Sequence, residues 1–109
     1  MKKNKISFFL KKNLNEISKN ICSYDEKKFN LFIKLLKDIK KSKKKIMIMG
    51  NGASASIANH FATDLTKIAG IRTINFNESN LITCLANDYG YENWLKKALD
   101  FYADKNDLI

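Results

Sequence analysis

Residues 46–69 read IMIMGNGASASIANHFATDLTKIA. Four apolar residues, Ile46 to Met49, run into a Gly50-Asn51-Gly52 turn, and small residues then continue at helical spacing as far as Gly70. The order predicts a strand, a tight turn and a helix from about Ser54 to Ala69, with Gly70 as its stop. Free amide groups at the start of such a helix, together with its dipole, favour negative charge.

Working outward, Ile71 to Phe76 reads as a second strand, and Asn77 is placed to cap a helix over Glu78 to Ala86. Asn87-Asp88-Tyr89-Gly90 reads as a loop. Tyr91, Trp94, Leu95, Ala98, Phe101 and Tyr102 mark a last amphipathic helix, and Asp107-Leu108-Ile109 reads as the beginning of a further strand. Strands alternating with helices predict an α/β domain with a parallel sheet, and such a sheet takes helices on both faces and more than two strands. The expected sheet is therefore incomplete at Ile109.

Upstream, Leu10, Leu14, Ile17 and Ile21 form one helix face. Ser23 and Glu26 have the spacing of a capping box for a second helix, with Phe29, Phe32, Ile33, Leu36 and Ile39 on one side. These two helices are expected to be packing elements, between subunits for example. The division expected is a helical segment over 1–44 and a partial α/β domain over 45–109.

Composition narrows the function. The 109 residues are 45% hydrophobic, enough for one small core, and hold no proline. The net charge of +9 is lopsided: fifteen lysines face four acids in residues 1–45, whereas 46–109 carry five basic and seven acidic residues. The lysines alternate with helix-period apolar residues, and Arg72 is the only arginine, so the charge reads as solvated helix surface rather than a nucleic-acid patch. No apolar run is long enough to span a membrane. The basic start and Phe8-Phe9-Leu10 are too short for a secretory leader, and a cytoplasmic location with reduced, packed Cys22 and Cys84 is expected.

Gly50 to Ala55 has the form G-x-G-x-x-A, but the acid that would hold a ribose after the second strand is missing, with Asn75 and Asn77 in its place. Asn51, Ser54 and Ser56 suit sugar hydroxyls and a phosphate instead. An ordinary tight turn before a capped helix is the simpler alternative. On a wheel with Ile57 at zero, Phe61 and Ile68 define an apolar stripe, Asp64 falls roughly 20° to one side inside it, and His60 lies at its edge. A carboxylate on a buried face needs a partner, a hydrogen bond or a metal. His60 and Asp64, one turn apart, can reach a common point; an ion pair from Asp64 to Lys67 is the alternative. Asn87 and Asp88 read either as site residues or as an Asx turn, and Trp94, Phe101 and Tyr102 as packing.

Two stretches carry a resemblance. GNGASASIANHFATDLT, residues 50–66, resembles the GNGGSA-x-A-x-HFA-x-EL signature of sugar isomerase (SIS) domains of the phosphoheptose isomerase type. LITCLANDYGYEN, residues 81–93, resembles that family's LTA-x-ANDYG-x-E segment. The likeness implies a three-layer αβα fold, assembly as a homotetramer with sites built between subunits, and aldose–ketose isomerisation of sedoheptulose 7-phosphate for surface polysaccharide or lipopolysaccharide. It implies substrate contacts at Asn51, Gly52, Ala53, Ser54, Asp64, Asn87 and Asp88, zinc at His60 and Asp64, and Asp64 as catalytic base. Isomerisation through an enediol needs such a base, and a carboxylate shielded from water is a stronger one.

The chain departs from the pattern at two places. Asp64 stands where the family has Glu and is one methylene shorter, and Ala53 replaces the second glycine of the turn. The family's serine-rich phosphate loop and its later Gln and His fall beyond Ile109. As written, the chain is expected to be an N-terminal part that does not catalyse, with a non-catalytic module binding a phosphosugar or a protein partner as the alternative.

Overall fold

The computed structural model describes residues 3–109. The first two residues of the basic start, Met1 and Lys2, lie outside the described residues. The chain divides into two units, one ending at Lys34 and the other spanning Leu35–Ile109.

In the first unit α1 spans Lys3–Cys22, and its stripe of Leu10, Leu14, Ile17 and Ile21 is exposed. Helix α2, Glu26–Lys41, starts here and continues into the second unit. The expected capping box is not formed. Asp25 is the cap: its Oδ1 accepts from the backbone N–H of Lys27 at 3.0 Å and of Lys28 at 3.1 Å. The Ser23 hydroxyl donates back to the Asn20 carbonyl at 3.1 Å. With helical backbone beginning at Glu26, only a side chain at position 25 reaches the second and third amides of the first turn.

The second unit is built on β1, Ile46–Ile48, and β2, Thr73–Asn75, paired in parallel with Ile46 opposite Thr73. Helix α3, Ala53–Lys67, connects them; α4, Ser79–Tyr89, and α5, Trp94–Tyr102, follow β2. The further strand expected at Asp107 is present as a parallel bridge from Leu108 to Ile46. Met47 donates its N–H to the Leu108 carbonyl at 2.9 Å, and Leu108 donates to the Lys45 carbonyl at 3.1 Å. Strand β1 therefore lies in the middle, with β2 on one side and the Leu108 segment on the other.

Because side chains alternate along a strand, β1 feeds two cores. Met47 and Met49 turn to a cluster with Ile74, Phe76, Leu85, Trp94 and Ala98, on the side of α4 and α5. Ile46 and Ile48 turn to Leu65, Ile71, Leu36 and Ile39, on the side of α3 and the end of α2. Helices thus cover both faces of the sheet, as an incomplete α/β sugar-isomerase-like arrangement requires. Phe76 and Met47 are the largest fully buried side chains, and each contributes roughly 1.5–3 kcal/mol of burial.

Two local expectations are revised. The cap of α4 is Glu78, whose carboxylate accepts from the N–H groups of Asn80 at 3.1 Å and Leu81 at 2.8 Å, not Asn77. The expected loop at Asn87 is the last turn of α4, because nothing in Asn-Asp-Tyr stops a helix until Gly90, whose N–H bonds the Ala86 carbonyl at 3.0 Å. Among the described residues no helix is long and apolar enough to cross a membrane.

Candidate active site

The glycine turn leaves the carboxyl end of β1. From there α3 goes to one face and one side of β1; the chain returns through α4 and α5 on the other face to the other side. That reversal is a topological switch point, where open α/β sheets leave a crevice above the strand ends. A Cβ at Gly50 would sit 2.7 Å from the Ser54 carbonyl carbon and 2.8 Å from its oxygen, so only glycine lets the strand end lie against the first turn of α3. Gly52 is the N-cap of α3 with φ +57°, and the space beside it is open. Ala53 is already in helical conformation, which is why a methyl group is accepted where the family has glycine. Asn51, Gly52, Ala53 and Ser54 are all exposed at this mouth.

His60 and Asp64 lie one turn apart on α3, with His60 Nε2 3.5 Å from Asp64 Oδ2. They share an open groove of about 460 Å³ with Ser56, Ile57 and Phe61. The expectation that this stripe is buried is overturned: the His60 side chain is 82% exposed and that of Asp64 45%. Ile57 is 70% exposed, and Ile68 and Phe61 are exposed as well. The face that meets the sheet carries Ala58, Ala62 and Leu65 instead, about 100° further round the helix. Small side chains let α3 sit close to a narrow sheet, so size rather than hydropathy chose the inward face. The shielding that would strengthen Asp64 as a base is not supplied by this chain's own atoms.

Asn87 and Asp88 end α4, in the other layer. The Asn87 amide donates to Asp88 Oδ1 at 3.0 Å, and the Cys84 thiol lies 3.8 Å from Asp88 Oδ2. Among the described residues no hydrogen bond joins them to the glycine turn. Cys22 and Cys84 are free, but both are exposed rather than packed.

Two arrangements had no local signal. Asn77, at the end of β2, donates both amide protons to α3, to the Ala55 carbonyl at 2.9 Å and to Asn59 Oδ1 at 2.7 Å. Asp107 pins the Leu108 segment to β1 through the Lys45 N–H and the Lys45 ammonium. Burial pushes the Asp107 carboxyl up, but the Lys45 ammonium and the N–H groups of Asp104 and Lys45 outweigh it and hold it at about 2.

No protein-family model matches the chain. It is 42% identical over 71 residues to the phosphoheptose isomerase of Helicobacter pylori strain HPAG1, covering 60% of this chain and 37% of that protein. It is 37% identical over 83 residues to the phosphoheptose isomerase of Helicobacter pylori strain ATCC 700392 / 26695, covering 71% and 43%. To the phosphoheptose isomerase of Geobacter sulfurreducens it is 29% identical over 84 residues, covering 72% and 44%. The chain thus spans under half the length of the curated relatives it matches. Taken with a glycine turn at the switch point of a parallel sheet, this similarity supports assignment of the chain to the phosphoheptose isomerase family of sugar isomerase domains.

Proposed function

We propose that this chain provides the first part of a sugar-phosphate aldose–ketose isomerase acting on sedoheptulose 7-phosphate. The observation that carries the reading is the Gly50–Gly52 turn at the switch point, followed by a helix on which His60 and Asp64 share one groove. Backbone N–H groups at the start of α3, with Asn51 and Ser54, bind sugar oxygens, and Asn87 and Asp88 reach the same ligand from the other layer. Asp64 takes the proton from the hydroxyl-bearing carbon beside the carbonyl, giving an enediolate; a proton passes from the hydroxyl oxygen to the former carbonyl oxygen, and Asp64 returns its own proton to the former carbonyl carbon. His60 donates to a substrate oxygen and orients the sugar.

A base that is nearly half in water works poorly, so the outer face of α3 calls for a cover. In this reading a second copy of the chain covers Ile57, Phe61 and Ile68 and shields Asp64, and the exposed stripe of α1 joins further copies. Zinc takes three or four protein ligands. His60 and Asp64 would supply two, and among the described residues no group of three His, Cys, Asp or Glu side chains could hold one. These two residues alone do not complete a zinc centre.

The test is incubation of the whole isomerase, of which this chain is proposed to be the first part, with sedoheptulose 7-phosphate in deuterated water. Isomerisation places deuterium on the carbon next to the carbonyl, and Asp64→Asn lowers the rate at least about a hundredfold. Saturable binding without deuterium incorporation would replace the isomerase reading with that of a binding module. Incorporation that survives Asp64→Asn would remove Asp64 as the base.

A further inference from the structure

The β2–α4 loop touches α3 at one polar point, and that point lies a single turn from the proposed site. The Asn77 carboxamide nitrogen has two protons, and both are used: one meets the Ala55 carbonyl at 2.9 Å, the other Asn59 Oδ1 at 2.7 Å. Ala55 lies three residues after Gly52, and its backbone N–H closes the turn on the Gly52 carbonyl at 3.0 Å. Asn59 precedes His60, and its own carbonyl accepts from the Thr63 hydroxyl at 3.0 Å. Asn77 is itself held, because its N–H donates to Asn75 Oδ1 at 3.2 Å. Asn77 and Ala55 are half-buried, so water competes only partly for the bond between them, whereas the bond to Asn59 is exposed.

We propose that Asn77 is a positioning residue: its two donated hydrogen bonds tie the first two turns of α3 to the end of β2 and so set where the Asn51–Ser54 turn stands over the crevice and where α3 carries His60. The link is polar, directional and built from one side chain. Apolar packing of Ala58, Ala62 and Leu65 holds α3 against the sheet without direction. A carboxamide bonded to one carbonyl and one side chain of α3 adds a directional restraint on its position at the end nearest the glycine turn. The assignment rests on the isomerase reading for its purpose, but not for its geometry.

The experiment compares Asn77→Asp, Asn59→Ala and Asn59→Asp with the unaltered chain. Asn77→Asp keeps the shape and sets a carboxylate oxygen against two acceptors, so both bonds are lost. Asn59→Ala removes one acceptor, and Asn59→Asp keeps it. Amide hydrogen exchange is read at Asn59, in the first turns of α3, relative to Met47 in β1. Asn77→Asp is expected to raise this ratio roughly tenfold or more. Asn59→Ala should raise it less, and Asn59→Asp should restore the unaltered value. An unchanged ratio in Asn77→Asp, or a rise shared equally by Met47, overturns the assignment, since a general loss of stability moves both amides together. Titration with sedoheptulose 7-phosphate, followed at the Gly52 and Ser54 amides, separates the two readings. No shift in the unaltered chain counts against the isomerase reading while exchange still decides Asn77. Where shifts are seen, binding to Asn77→Asp should be weaker by about tenfold.

Discussion

Lys45 and Asp107 meet through both backbone and side chain: the Lys45 N–H donates to Asp107 Oδ1 at 3.1 Å, and its ammonium lies 2.6 Å from Oδ2. The Asp107 side chain is 2% exposed, and the Asp104 N–H donates to the same Oδ2 at 2.8 Å. One carboxylate thus fastens the Leu108 segment to the middle strand. It is the latch that lets a third strand begin.

That latch predicts an acid limb. The folded Asp107 carboxyl titrates at about 2, below its ordinary 3.8. Its stabilisation is therefore complete above pH ~4 and is lost as pH falls through the folded value. Asp107→Asn should flatten this limb, and Asp107→Ala should cost about 2 kcal/mol at neutral pH through two lost N–H acceptors. Urea unfolding between about pH 2 and 7 on the three proteins checks both. An equally steep acid limb in Asp107→Asn would mean that other carboxylates carry it.

The two glycines of the turn should fail for different reasons. Gly50→Ala drives a methyl group into the Ser54 carbonyl and should cost about 1–3 kcal/mol or more by overpacking. Gly52→Ala meets open space and costs only backbone strain, at φ +57° and ψ −127°, of about 1–3 kcal/mol. Unfolding midpoints should rank the unaltered chain first, Gly52→Ala next and Gly50→Ala last. The reverse order of the two variants would place the close approach elsewhere.

The orientation of α3 is tested by contrasting its two faces. Ile57→Ser lies on the outer face at 70% exposed and should move the stability of a single chain by no more than about 0.5 kcal/mol. Ala62→Leu lies against the sheet and should cost about 1–3 kcal/mol. Thermal unfolding at low protein concentration reads the difference. A larger penalty at Ile57 under dilute conditions would restore the inward stripe that periodicity suggests.

Much of this architecture is legible along the chain. The apolar run Ile46–Met49, the turn at Gly50, the helix ending before Gly70 and the strand beginning near Asp107 are each written in consecutive residues, because periodicity and turn chemistry act over a few bonds. The family motifs at residues 50–66 and 81–93 are local for the same reason. What remained hidden depends on partners brought close only by folding. Ala58 and Ala62, rather than Ile57 and Phe61, face the sheet because the gap between helix and strand sets the size that fits. Asn59 and Asn77, 18 positions apart, and Lys45 and Asp107, 62 apart, carry no mark of their pairing, since a hydrogen bond depends on distance in space and not along the backbone. His60 and Asp64 show both sides of this: their one-turn spacing is fixed by helix geometry, while their exposure was decided by which face of α3 the sheet could accept.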